Sequence, residues 1–185
     1  DGNIFEAFKL ASDLEVSPRM DFERDPDAVS KYIFSNQKIA KMEDREPDVL
    51  GPKEENPRWQ KIQKKAHYAF KEDGTPVSAA TVYAYRDAIF EPIIDKFYED
   101  PTLVSYGEDV REWGGAFGVY TDLYKSIPFH RLFNSPISEA TIVSAAVGYA
   151  MLGGRACVEL MYADFMGRAG DEIFNQLAKW QSMTA

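Results

Sequence analysis

Apolar positions recur with two different spacings in the second half of the chain, and the change of spacing predicts its elements. Residues 139–152 carry apolar side chains at helical spacing on nearly every side, which predicts a helix that is buried all round. Ser135 or Ser138 is expected to cap its start, and the pair Gly153-Gly154 its end. The apolar run over residues 156–162 follows at once and predicts a buried strand.

The same patterns predict further elements along the chain. Helices are expected over residues 4–16, 27–42, 78–98, 119–126 and 168–182, and strands over residues 103–106 and 130–133. Ser78 is expected to cap the third of these helices, and Pro92 to kink it. In the last helix, the side chains expected to face inward are Ile173, Phe174, Leu177 and Trp180. From residue 80 helices and strands alternate, which predicts an α/β fold with a doubly wound, mostly parallel sheet.

Changes in composition and in hydrophobic patterning divide the chain into two parts. Residues 1–79 hold two helical patterns followed by a charged stretch punctuated by prolines, which predicts a helical segment and an extended connector. Residues 80–185 form the α/β domain, and we expect this domain to be incomplete at its C-terminus. Since the chain begins with Asp1 and stops just after a helical pattern, we also expect it to be a piece of a longer polypeptide.

Composition narrows the class of protein. The chain has 185 residues, of which 45% are hydrophobic, and no apolar run is long enough to span a membrane. A net charge of −9 argues against general binding to nucleic acid. The single cysteine, Cys157, gives no disulfide framework, which is typical of a reducing compartment. We therefore expect a cytoplasmic protein that binds neither membrane nor nucleic acid.

Two acidic positions follow predicted strands. Glu108 and Asp109 come directly after the strand at 103–106, and Glu139 opens the central helix after the strand at 130–133. An acid in a first helical turn can simply complement the helix dipole. A carboxylate beside a buried helix also needs a partner, however, and a cofactor nitrogen is one candidate. Because ligands bind beyond the carboxyl ends of parallel strands, we expect these acids to face one crevice.

Other candidate motifs carry weaker signals. Phe165 follows the strand at 156–162 and could stack on a ring, whereas Met161 in that strand is more typical of core packing. The loop Trp113-Gly-Gly-Ala-Phe-Gly118 matches neither the phosphate-loop pattern nor the dinucleotide fingerprint, and we interpret it as a flexible loop. The isolated histidines and Cys157 form no metal or nucleophile pattern.

From about Ala80 onward the chain resembles the pyrimidine-binding domain of thiamine-diphosphate-dependent 2-oxo acid dehydrogenases. The resemblance is to the beta subunit of the pyruvate or branched-chain decarboxylating component. The segments that carry it are Gly107-Glu-Asp109, Asn134-Ser-Pro-Ile-Ser-Glu139, Ala146–Gly153, Glu159-Leu-Met161, Asp164-Phe165 and Asp171–Lys179. Residues 1–79 resemble the tail of an alpha subunit, as in versions that fuse both subunits in one chain.

The resemblance implies roles for individual residues. Glu139 would hydrogen-bond a ring nitrogen of the cofactor's aminopyrimidine and favour the imino tautomer that removes the thiazolium proton. Phe165 would pack against the aminopyrimidine, with Met161 and Ile137 also at the cofactor. Glu108 matches an acid that lies between paired active sites and passes protons between them. No metal ligand is implied within this segment, because the Mg²⁺ that holds the diphosphate is bound by a Gly-Asp-Gly motif that this chain lacks.

The resemblance also implies binding partners for this chain, and it leaves alternative functions open. The expected partners are an alpha-type diphosphate-binding domain and a lipoyl acyltransferase, in a homo- or hetero-oligomer that oxidatively decarboxylates a 2-oxo acid. This segment alone, which would hold half of one cofactor site, is expected to be inactive. The alternatives are another thiamine enzyme of the transketolase kind, or a module that only pairs subunits without catalysis.

Overall fold

The computed structural model describes residues 2–16, 23–27 and 39–184, and its contacts divide the chain into two compact units, Asp1–Lys38 and Ile39–Ala185. In the first unit, helix α1 spans Gly2–Ser12 and buries none of its residues. It ends four residues earlier than predicted, because the Asp13 side chain accepts a hydrogen bond from the Glu15 amide and holds a turn there. Most of the predicted helix at 27–42 lies outside the described residues.

In the second unit, residues 39–84 pack closely on the α/β domain. Helix α2 (Pro57–Ile62) begins at Asn56, whose side chain accepts hydrogen bonds from the Arg58 and Trp59 amides. Asn56 also donates to Ser126 Oγ at 2.8 Å, and Ile62 at the end of α2 is buried in the main core. The contacts thus group residues 39–79 with residues 80–185. Their assignment to an alpha-subunit tail stays a prediction.

Helix α3 spans Tyr85–Glu99, so it begins seven residues after the predicted cap at Ser78. The Ser78 hydroxyl instead accepts from the Ala80 amide within a local turn. The side chain of Asp87 accepts from the Ala84 amide and so stabilises the observed start. Pro92 lies inside the helix, and the kink expected there stays a prediction.

Three parallel strands form the sheet, in the order β2-β1-β3. Strand β1 is Leu103–Gly107, β2 is Leu132–Asn134 and β3 is Arg155–Val158. The chain starts in the middle strand and adds one strand on each side, so the prediction of a doubly wound, parallel α/β sheet is confirmed. The predicted helix at 119–126 is reduced to one 3₁₀ turn, Leu123–Lys125.

Strand β1 is covered on both faces. One face carries Leu103 and packs into a core of fully or nearly fully buried side chains. The members of this core, called the α3 core here, are Ile62, Phe90, Ile94, Phe97, Leu103, Val110, Tyr120, Leu123, Ile127 and Leu132. On the other face, the Tyr106 hydroxyl donates to the Ile142 carbonyl at 2.9 Å. This bond ties the middle strand to the next helix.

That helix, α4, spans Glu139–Met151 and starts where one of the two predicted caps, Ser138, places it. Only Ile142, Val143 and Val147 are buried in it. The prediction of a helix buried all round is therefore wrong for this chain. Val143 and Val147 pack with Ala169, Leu160 and Ile173 in a second, smaller cluster.

The C-terminal region differs most from its prediction. A 3₁₀ segment (Ala163–Ala169) leads into a π-helical turn (Glu172–Leu177) and helix α5 (Ala178–Thr184). Of the four side chains expected to face inward, only Ile173 packs against a core cluster. Phe174, Leu177 and Trp180 are 57%, 61% and 40% exposed, so that expectation is wrong for them. No helix within the described ranges is long and apolar enough to cross a membrane.

Candidate functional site

The carboxyl ends of the three strands meet at one edge of the sheet. The Ser135 amide after β2 donates to the Gly107 carbonyl of β1 at 2.7 Å, and the Glu159 amide after β3 donates to the Tyr106 carbonyl at 3.0 Å. These two backbone bonds bring together the residues that follow each strand. The acidic turn at Glu108 and the Ser138-to-Glu139 helix start therefore lie side by side, at the edge where such sheets bind ligands.

A cavity of about 370 Å³ opens beside the start of α4. Its lining residues are Ile137, Ser138, Glu139, Ala140, Phe165 and Arg168. Three of the predicted site residues, Ile137, Glu139 and Phe165, thus share one pocket although Phe165 lies 26 residues from Glu139 in the sequence. The fourth predicted cofactor residue, Met161, is half-buried and is not part of this lining.

Glu139 is the first residue of α4 and is partly buried. The positive end of the helix dipole favours a negative charge there. Its neighbour Ser138 directs its hydroxyl to Thr141 Oγ1 at 2.8 Å rather than to a backbone amide of the first turn. The carboxylate of Glu139 is therefore placed at the pocket by the start of the helix itself.

Glu108 lies close enough to Glu139 for the two charges to interact. Burial raises the pKa of the Glu108 carboxyl above its usual range, and the charges of Glu139 and Asp109 act in the same direction. Glu108 therefore holds a proton more readily than an exposed glutamate does. The structure brings Glu108 to the predicted crevice, but Glu108 does not line the 370 Å³ cavity.

Glu159 is an acidic residue at this edge to which the sequence patterns assign no site role. Its carboxylate accepts a 3.4 Å hydrogen bond from the Ala116 amide in the glycine-rich loop. Burial raises its pKa, the Ala116 bond opposes that shift, and the charges of Asp109 and Glu108 add to it. The signal in the sequence was a lone charge inside an apolar strand-like run, because burying a charge there needs a reason.

The glycine-rich loop is held against this acid. Gly115 has a φ of +79°, and a Cβ at that position would lie 2.5 Å from Glu159 Oε1. The loop amide of Gly115 donates to the Asp109 carbonyl at 2.9 Å. Close packing, in addition to backbone freedom, therefore accounts for glycine here, which the interpretation as a flexible loop did not include.

Three aromatic rings connect the same loop to the pocket. Phe117 meets Tyr162 with 5.4 Å between ring centroids, and Tyr162 meets Phe165 at 5.6 Å. Both contacts are edge-to-face, the arrangement that aromatic quadrupoles favour. The ring of Phe165 is thus positioned from one side by Tyr162, while its other side remains available to the pocket.

A larger cavity of about 670 Å³ lies between α4 and the sheet. It is lined mainly by apolar groups, including Val104, Phe133 and Ile142, and none of the described residues in its lining is an acid. Those residues therefore offer no carboxylate for acid–base chemistry. Within residues 2–16, 23–27 and 39–184, no group of three His, Cys, Asp or Glu side chains is arranged to hold a metal ion.

Residues 81–185 match the family described as the transketolase pyrimidine binding domain. The chain belongs to this family. The pyrimidine-binding domain covers the whole sheet, α4 and the 370 Å³ cavity, so the candidate site lies inside the matched region. The α/β fold that the sequence predicts is the fold of this family, and the resemblance to it is confirmed.

Similar proteins include beta subunits of an oxidoreductase and of two dehydrogenases. The beta subunit of acetoin:2,6-dichlorophenolindophenol oxidoreductase from Cupriavidus necator is 41% identical over 106 residues, which are 52% of this chain and 31% of that protein. The beta subunit of 2-oxoisovalerate dehydrogenase from Pseudomonas aeruginosa is 36% identical over 86 residues, 46% of this chain and 25% of that protein.

A third relative is the mitochondrial beta subunit of the pyruvate dehydrogenase E1 component from Rattus norvegicus. It is 34% identical over 107 residues, which are 58% of this chain and 30% of that protein. The chain therefore spans only about a quarter to a third of the length of these relatives. The predicted likeness to pyruvate and branched-chain beta subunits is confirmed, and the acetoin enzyme is a relative that the sequence analysis did not name.

Proposed function

We propose that this chain supplies the pyrimidine-binding half of a thiamine diphosphate site in the decarboxylating component of a 2-oxo acid dehydrogenase. The supporting observation is the pocket in which Ile137, Glu139 and Phe165 meet. The enzyme oxidatively decarboxylates a 2-oxo acid and passes the acyl group to a lipoyl domain. When bound, thiamine diphosphate supplies the carbanion-stabilising chemistry that cleaves a bond next to a carbonyl.

The pocket fits the pyrimidine part of that cofactor. A flat heteroaromatic ring needs apolar or aromatic surfaces on its faces, and Phe165 with Ile137 and Ala140 provides them. A ring nitrogen that exchanges a proton needs a carboxylate, and Glu139 is the only acid among the described residues of the lining. A diphosphate carries more negative charge than the single cation of this pocket balances, so we place its Mg²⁺ and its ligands outside this segment.

Each residue then has a defined task. Glu139 receives and returns a proton at its carboxylate, at its partly buried place in the pocket lining. Phe165 orients the ring, and Ile137 covers it. Glu108, whose pKa is raised by burial and by Glu139, is suited to hold a proton near the first carboxylate and exchange it.

The proposal needs further parts. An alpha-type diphosphate-binding domain completes the cofactor site, either as a separate subunit or fused to this segment, with residues 1–79 as its tail. A lipoyl acyltransferase receives the acyl group, within a homo- or hetero-oligomer. We place the assembly in the cytoplasm. Met161 is assigned to the surroundings of the cofactor ring rather than to direct contact, since it is outside the pocket lining.

A second candidate function is the cleavage of acetoin. It is favoured by the 41% identity to the acetoin enzyme's beta subunit, which exceeds the 36% found for the 2-oxoisovalerate enzyme. Both reactions break a carbon–carbon bond beside a carbonyl, so one pyrimidine-binding pocket suits both. Turnover of acetoin against pyruvate and 2-oxoisovalerate by the full-length protein separates the two functions.

The test of the proposed function is Glu139→Gln in the full-length protein. Because the amide cannot accept a proton, kcat should fall by about 100-fold to 10,000-fold. Assembly, measured by sedimentation, should not change. The exposed Glu54→Gln variant is the matched control and should keep full activity. Unchanged turnover in Glu139→Gln would contradict the proposal and support a module that only pairs subunits.

A further inference from the structure

Arg168 is the only cation among the described residues that line the 370 Å³ cavity. It lies at the end of the 3₁₀ segment Ala163–Ala169, three residues after Phe165, and it is exposed. The segment therefore presents an aromatic ring and a guanidinium to the same pocket. Nothing in the roles derived above for Glu139, Ile137 and Phe165 uses this positive charge.

The guanidinium of Arg168 forms no hydrogen bond or ion pair with any residue in the described part of the chain. Two other arginines of the second unit are held by the fold. Arg131 donates to four backbone carbonyls, those of Asp48, Phe97, Asp100 and Leu103, and Arg155 pairs with Asp100 at 2.9 Å. Arg168 thus has five donors available at a pocket wall, without a structural task in the described residues.

A positive charge at this place lowers the electrostatic cost of bringing an anion to the pocket. Glu139 lines the pocket and Glu108 interacts with it, so two acidic side chains lie on this side of the site. A 2-oxo acid is itself an anion, with its carboxylate bonded to the reacting carbonyl carbon. Approaching the two glutamates costs such a substrate Coulomb energy, which an arginine at the pocket wall offsets.

We propose that Arg168 captures the carboxylate of a 2-oxo acid at this pocket and so sets a preference for anionic 2-oxo acids over neutral hydroxyketones such as acetoin. The inference rests on the proposed function and names the substrate class of that site. Guanidinium matches a carboxylate with two parallel hydrogen bonds, which an ammonium group cannot reproduce. Arg168 is therefore a specificity-determining residue.

Arg168 holds the carboxylate in the bound substrate and, until the carbon–carbon bond breaks, to a similar extent in the transition state. Removing such an interaction should raise KM and leave kcat nearly unchanged. A charge-assisted hydrogen bond contributes enough that its loss corresponds to about tenfold to 100-fold in KM. For acetoin, which has no carboxylate, neither constant should change by more than about twofold.

The experiment compares Arg168→Gln, Arg168→Lys and the exposed Arg86→Gln as control in the full-length protein. KM and kcat are measured for 2-oxoisovalerate, pyruvate and acetoin. We expect Arg168→Gln to raise KM for the two 2-oxo acids only, Arg168→Lys to restore part of the loss, and Arg86→Gln to match wild type. Ligand-observed NMR on the cofactor-free protein should show the same loss of affinity for 2-oxoisovalerate.

The outcomes separate this inference from the proposed function. If wild type turns over 2-oxo acids and Arg168→Gln has the same KM, the inference is wrong and the function stands. An equal rise in KM for acetoin indicates a structural effect, and a weaker affinity for thiamine diphosphate indicates that Arg168 binds the cofactor's phosphates; either result overturns the inference. A wild-type protein that binds no thiamine diphosphate overturns both.

Discussion

The two sides of the sheet both carry apolar side chains, but these are not equally covered. On the side of α3, Phe90, Ile94 and Phe97 are fully buried in the α3 core. On the side of α4 and the C-terminal segment, Phe174 and Leu177 are more than half exposed, and Leu152 is 87% exposed. The α3 side is completed by residues 39–84, whereas the described residues supply no such cover for the α4 side.

The difference shows what an apolar pattern specifies. It identifies which side chains avoid water, but not which surface they pack against. The α3 side supplies a rigid support for β1, and the candidate site lies where β1 and its neighbours emerge beside the open side. An open apolar surface of this kind is typical of a site of association with further protein surface.

The largest predicted effect contrasts one phenylalanine from each side. Phe97→Ala should lower the free energy of unfolding by about 3–5 kcal/mol, because it leaves a cavity in a fully buried core. Phe174→Ala removes the same side chain from a 57% exposed position and should change stability by less than about 1 kcal/mol. Urea unfolding of both variants measures the difference, and equal losses would contradict the contrast.

The next effect concerns two glycines that share a left-handed backbone. Gly115 and Gly153 have φ values of +79° and +87°, but only Gly115 is crowded, because an added methyl group would lie within 3.0 Å of both Glu159 and Tyr120. Gly153→Ala should cost about 1 kcal/mol of backbone strain. Gly115→Ala should cost about 1–3 kcal/mol more through overpacking. Thermal unfolding of both variants measures these losses of stability. Equal losses in Gly115→Ala and Gly153→Ala would contradict the prediction.

The smallest predicted effect is a dependence of the free energy of unfolding on pH. Since burial raises the pKa of Glu159, the folded state binds more protons than the unfolded chain above the ordinary glutamate value of about 4.3. Stability contributed by this group therefore falls as pH rises from there. Glu159→Gln keeps an acceptor for the Ala116 amide and removes the charge.

Relative to wild type, the Glu159→Gln variant should thus gain stability as the pH rises above about 4.3. Unfolding free energies at several pH values give the difference. Glu54→Gln, an exposed acid, serves as control and should show no such trend. A difference that stays flat or declines with pH would show that the Glu159 carboxyl is not disfavoured by burial.

The sequence predicts best where local signals and burial agree. Strand β1 is found because a buried apolar run marks it locally. The start of α4 at Glu139 is found although the Ser138 hydroxyl makes no capping hydrogen bond. The start of α3 is missed because Ser78 satisfies its own turn, and the choice depends on Asp87 nine residues later. The inward-facing residues of the C-terminal segment are missed because periodicity does not reveal whether a covering surface exists.

For the candidate site too, local sequence signals predict some residues and miss others. The motif residues Ile137 and Glu139, and Phe165, are recognised through their resemblance to a family, and the structure brings them into one pocket. Their catalytic and binding roles stay predictions. Glu159 lies in a segment that carries the resemblance but is given no role by it, and Arg168 lies in none of those segments. The importance of both depends on which residues the sheet edge brings together. Such contacts join residues that are far apart in sequence, so the spacing of residues along the chain does not predict them.

The hydrogen bond between the Ser135 amide and the Gly107 carbonyl involves no side chain. The distance between the turn at Glu108 and the helix start at Glu139 is therefore set by peptide groups. Substitutions at positions 136–138 can change the shape of the pocket while Glu108 and Glu139 keep their positions. A one-residue insertion in that stretch would act differently, since it would move one acid relative to the other. Variation in this family should accordingly favour exchanges over changes of length between Ser135 and Glu139.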